Sequence, residues 1–158
     1  MFEWAPIVAA IALLLAGVWW YADTEAGGDS LTIKNEGIID HLWNARERAA
    51  ALAMAAVSFH ARELMVAVLH WPPTPLPVLV VLARITALFA ILGTFFWVWF
   101  DIRINLRREK AWSYMGENAK SDLLAKGLFK WHPAYLLAKL AVFLLACVAY
   151  WLATRISI

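Results

Sequence analysis

Apolar residues in this chain gather into long runs separated by short polar stretches. The first run, about 5–21 (APIVAAIALLLAGVWWY), is near the lower length for a membrane-crossing helix. No Lys or Arg occurs from Met1 to Tyr21, and Glu3 is acidic, so the positive front of a signal peptide is missing. Trp19–Trp20 suits an interface anchor better than a small-residue cleavage site. The run therefore reads as a retained transmembrane helix. The stretch 22–37 (ADTEAGGDSLTIKNEG) is polar, holds two adjacent glycines, and is expected to be a loop outside the bilayer.

Residues 38–71 contain no breaker and are rich in Ala, Leu and Met, which predicts one helix started by Asp40 or Asn35. Its longest uncharged run, 49–59, is short for a conventional span, and a soluble amphipathic helix would share the pattern. The sequence WPPTPLP, 71–77, is a stiff turn, because its prolines cannot continue a helix. Residues 76–100 are apolar except for Arg84 and end in the aromatic belt FFWVWF, so a span is predicted there, with its helix extending to 108. A fourth span covers about 133–153. The pattern predicts an all-α, four-helix membrane bundle in a single domain, with a proline-turn hairpin made by the second and third segments.

Composition agrees. The chain of 158 residues is 63% hydrophobic and 16% charged, and it holds ten Trp. A soluble domain is nearer half apolar and a quarter charged. The net charge of +2 is too small to suggest nucleic acid, and the single Cys147 makes neither a disulfide nor a CxxC site. The 101–131 loop carries Arg103, Arg107, Arg108, Lys110, Lys120, Lys126 and Lys130, which the positive-inside rule puts in the cytoplasm, with both termini outside.

Folding the chain back at the proline turn brings His41 and Asp101 to within roughly two helical turns of the same depth. His41, Arg48, Glu63 and His70 fall within roughly 60° of one another at about 100° per residue. Asp101, Asn105 and Arg108 share a face on the facing segment. Glu63 and Arg84 match in depth and are expected to form a structural ion pair, since intramembrane charges are costly unless paired. His60 lies off the stripe and reads as a hydrogen-bonded core or interface residue. His70 and His132 sit beside Trp and Pro at the interfaces. Arg103, Arg107, Lys110, Lys126 and Lys130 read as interfacial anchors.

The pattern FD-x3-N-x2-R followed by Y-x-G-x2-A-x2-D runs through Phe100, Asp101, Asn105, Arg108, Tyr114, Gly116, Ala119 and Asp122, with Lys139 in the last apolar run and His41 seven residues before Arg48. Over about 38–142 this resembles a family of small, uncharacterised integral membrane proteins of Bacteroidetes-type bacteria and tailed phages. The chain departs from it after Arg108, where Gly is expected and Glu109 stands. The resemblance implies a shared site and supplies no chemistry.

The expected site combines His41, Asp101 and Asp122 as catalytic groups with Arg48, Asn105, Arg108 and Tyr114 as ligand-binding ones. Arg48 and Arg108 suit a bidentate clamp on a phosphate or carboxylate, and a lipid head group would lie at that depth. His41 is the natural general base, whereas no HxxxH or HExxH spacing supports a metal, and His41 and His60 point apart on their helix, against haem. No cofactor follows from these residues. The lead reading is an integral membrane protein that binds or processes an anionic lipid or small ligand. The alternative is a structural or accessory subunit of a homo-oligomer or larger membrane complex, or a phage holin-like protein, though the terminal TRISI has one cation where holins end in charged tails. A proton path along Glu63 and His70 finds only Thr86 and Thr94 to continue it.

Overall fold

The computed structural model describes residues 4–35, 41–69, 76–114, 126–129 and 132–156, with the side chains of 4–6, 41, 42 and 132 left aside. The fold is all-helical: α1 (Trp4–Lys34), α2 (His41–Phe59), α3 (Ala61–Leu69), α4 (Leu76–Arg107) and α5 (His132–Arg155), with a helical turn at 126–128. Pro77 stands in the first turn of α4, where a missing N–H costs nothing. The rest of the expected proline turn, 70–75, lies outside the described residues.

Ile7–Lys34, Leu76–Arg107 and Pro133–Arg155 are long and apolar enough to cross a membrane. The bent pair Trp43–Phe59 and Ala61–Leu69 passes the same test together, giving up to four spans. Only 11% to 28% of the residues in the apolar windows of the three long helices are buried within the protein. The remaining apolar surface, including Leu13, Leu79, Leu144 and Leu145, faces outward and needs a hydrocarbon solvent. By helix length and hydropathy the chain is a multi-pass membrane protein.

Two expectations are corrected. The stretch 22–37 is not a loop from its start, because α1 runs unbroken to Lys34. Gly27 and Gly28 cost roughly 1 kcal/mol each relative to Ala in a helix, but Arg107 packs on Gly27 so closely that a Cβ there would lie 3.3 Å from its Nη1. Close packing thus explains Gly27 better than turn formation does. The helix predicted over 38–71 is also not continuous. It breaks at His60, where α2 and α3 meet at 64°. His60 N–H bonds to Val57 O at 3.1 Å, three residues back, and Leu64 N–H restarts the ladder on His60 O at 2.9 Å. Glu63 then sits in the first turn of α3, the favourable end for an acid.

Packing divides the chain into two units, Met1–Asp40 with Thr94–Val142, and His41–Gly93 with Phe143–Ile158. In the first unit, Trp19 meets Trp99, Asp23 meets Arg103, and Gly27 meets Arg107. Both helices advance four residues at each step, so α1 and this part of α4 run parallel. An adjacent face of α1 is buried at Val18, Ala22, Ala26 and Ser30. Small residues at four-residue spacing let helices approach closely. In the second unit the core holds Leu52, Ala56, Val81, Leu88 and Leu92.

Candidate functional site

The polar end of α4 is built by one helix terminus. Glu109 has φ 57°, the left-handed conformation that closes many helices and favours Gly. Lys110 N–H bonds to Asn105 O at 2.9 Å and Glu109 N–H to Leu106 O at 3.0 Å. This pair of bonds is a Schellman motif with Glu109 at its left-handed position. Asn105 is buried, and its side-chain amide donates to Trp112 O at 3.2 Å and Tyr114 O at 2.8 Å. Tyr114 N–H closes onto Ala111 O at 2.8 Å. The segment 108–114 is therefore tied to the helix by one amide, with Lys110 and Trp112 exposed and Arg108 half-buried. The Lys110 ammonium stands 5.8 Å from the Tyr114 ring.

Next to this turn, two acids of the first unit, Asp23 and Asp101, bind cations across helices. Asp23 of α1 takes the Arg103 Nε–H on one carboxylate oxygen and Arg107 Nη2 on the other, the latter at 2.9 Å. Asp101 of α4 accepts a hydrogen bond from the Lys139 ammonium of α5. Lys139 is buried, and its Nζ lies 4.0 Å from the ring centres of both Trp97 and Tyr135. A desolvated ammonium against an aromatic face gains about 2 kcal/mol. The carboxylate and the two rings together explain a lysine buried in an apolar helix.

The second unit carries its own polar network. Arg84 Nη1 donates to Glu63 Oε2 at 2.9 Å, while its Nε and Nη2 cap Ala153 O and Ile156 O at 3.1 and 2.8 Å. One arginine thus joins α3 to the open carbonyl end of α5. His60 lies 3.3 Å from Tyr150 Oη through Nε2, and its Nδ1 is 3.4 Å from Glu63 Oε2.

The expected site residues are distributed as follows. Asp101 pairs with Lys139, and Asn105 anchors the 108–114 turn. Arg108 and Tyr114 belong to that turn. Glu63 and Arg84 are bonded to each other. Arg48 is a half-buried residue of α2, in the other packing unit from Asp101. The His41 side chain, the whole of Asp122, and Gly116 and Ala119 lie outside the described residues. Asp23, Trp97 and Tyr135 are not among the sequence-predicted site residues, and Lys139 enters only through the motif. Asp23 was hidden because it sat in a supposed loop. The signal for the other two was the spacing of aromatics at 97 and 135 against a lone intramembrane Lys. Among the described residues, no three His, Cys, Asp or Glu side chains gather as metal ligands. Comparison with protein-family models, curated proteins and solved structures finds no match to the chain.

Proposed function

We propose that the end of α4 is a docking site for an anionic, phosphate-bearing lipid head group in the cytoplasmic leaflet of a bacterial inner membrane. The observation that carries this reading is the turn fixed by Asn105, which keeps Arg108, Lys110 and Trp112 together just past a spanning helix. Basic residues immediately beyond a span attract anionic lipids by about 1 kcal/mol each. Arg108 supplies a planar fork for phosphate oxygens, Lys110 a mobile point charge, and Trp112 an amphipathic ring at head-group depth. Tying the segment down in advance reduces the ordering cost of binding. Binding is favoured over processing because Asp101, the nearest candidate base, already holds the Lys139 ammonium.

The reading is tested by native mass spectrometry of the purified chain titrated with phosphatidylglycerol or phosphatidylcholine. Wild type should retain phosphatidylglycerol preferentially. Arg108→Gln with Lys110→Gln should lose most of that preference while leaving thermal unfolding nearly unchanged. Equal retention of both lipids, or full retention by the double variant, would remove the basis for the proposal.

A further inference from the structure

We propose that Arg62, at the start of α3, binds the phosphodiester of a membrane phospholipid at the bilayer face opposite to the α4 turn. The site uses no residue of that turn and stands whether or not the turn holds a lipid. Arg62 is exposed, and among the described residues its guanidinium has no hydrogen-bond or ion-pair partner. Arg62, Met65, Val66 and Leu69 follow i, i+3, i+4, i+7 and so share one face of α3. That face is the outward one: Met65 is 60%, Val66 53% and Leu69 74% exposed, whereas Ala67 is buried. The α2–α3 pair is apolar enough to form a broken span. An arginine on its lipid-facing stripe is costly unless an anion meets it.

Depth selects the anion. Glu63, the next residue, accepts from Arg84 Nη1 at 2.9 Å, and the same guanidinium donates to Ala153 O and Ile156 O. The start of α3 is thereby pinned level with the last carbonyls of α5. There the Arg155 guanidinium stands 4.8 Å from the ring centre of the exposed Trp151. An aromatic ring and a cation together suit a head-group boundary. Rising about 1.5 Å per residue, α4 runs roughly 35 Å from Arg84 to Arg107, against roughly 30 Å of hydrocarbon in a bilayer. Arg62 therefore belongs to the membrane face opposite to Arg108. Lipid phosphates lie at that level all round the protein, whereas an acidic side chain would need a second chain with its carboxylate at one matching height. The planar fork of Arg62 takes two phosphate oxygens. The face of Met65, Val66 and Leu69 takes an acyl chain of the same lipid. Because Arg84 already balances Glu63, the site offers one net positive charge. It reads the phosphodiester rather than the rest of the head group.

The test uses the full chain carrying Arg108→Gln and Lys110→Gln, which removes those two charges of the α4 turn. Native mass spectrometry in detergent reads the lipid retained during titration with phosphatidylcholine, phosphatidylglycerol or a galactosyl diacylglycerol, which has no phosphate. The proposal predicts that a molecule of either phospholipid is retained in preference to the glycolipid. Arg62→Gln should reduce that retention several-fold without changing the melting temperature. Arg62→Lys, which keeps the charge but not the fork, should fall between the two. Should Arg62→Gln fail to fold, Arg62→Lys must still retain less phospholipid than its parent. Equal retention of glycolipid and phospholipid, or phospholipid retention that neither Arg62 variant lowers, would overturn the proposal. So would a protein dimer that depends on Arg62 and holds no lipid.

Discussion

Glu109 shows how much one backbone angle can decide. The structure puts the left-handed residue of the α4 terminus at Glu109, a position that favours Gly. A side chain in this conformation costs roughly 1–2 kcal/mol. Glu109→Gly should therefore raise unfolding stability by about 1 kcal/mol, read as a higher melting temperature in detergent, and leave lipid retention unchanged. The pair of Asp101 and Lys139 offers a second test. Lys139 is buried while Asp101 is half-buried, so removing the carboxylate strands a buried ammonium, at a cost of about 1–3 kcal/mol. Asp101→Asn should destabilise strongly, and Lys139→Met added to it should recover most of that loss in chemical denaturation. Asn105→Asp would replace the donor to Trp112 O and Tyr114 O with an acceptor, at about 1–3 kcal/mol for unsatisfied polar groups. Its expected signature is faster tryptic cleavage at Arg108 and Lys110. Asn105 and Asp101 could be selected from the sequence as members of one helical face. That Asn105 serves its own backbone turn could not, because the partners are carbonyls, which leave no trace in residue identity.

Among the elements, the long apolar helices are legible because α4 and α5 have long apolar runs, interrupted only by the charges of Arg84 and Lys139, with aromatic ends. The predicted helices 76–108 and 133–153 lie within about two residues of Leu76–Arg107 and His132–Arg155. The polar half of α1 was not legible, since Gly27 and Gly28 signal a turn until the packing of Arg107 is known. The break at His60 left no sign either, with neither Pro nor Gly nearby; it goes with the contacts of a buried ring to Tyr150 and Glu63. If the parallel seam of α1 and α4 is held by Asp23, its coupling to Arg103 should be measurable. A double-mutant cycle of Asp23→Asn and Arg103→Gln is expected to give a coupling energy of about 0.5–3 kcal/mol. Values near zero would mean that the seam rests on Trp19, Trp99 and the small residues alone.

For the whole molecule, composition and hydropathy identify the solvent before any contact is known. A chain 63% hydrophobic, with most of each apolar helix facing outward, is folded for lipid. The sign and place of its charges then divide the labour. Acids at 23 and 101 are spent inside the first unit, and Arg84 and Glu63 inside the second. Arg108 and Lys110 remain with Trp112 on a fixed turn beyond α4. The central claim is that this turn meets a lipid head group. A photoreactive phenylalanine analogue in place of Trp112, irradiated in native membranes, tests it most directly. The expected adduct carries the mass of one anionic phospholipid and disappears when Arg108 and Lys110 are neutralised. A crosslink to another protein chain in place of lipid would contradict the account and favour an accessory subunit.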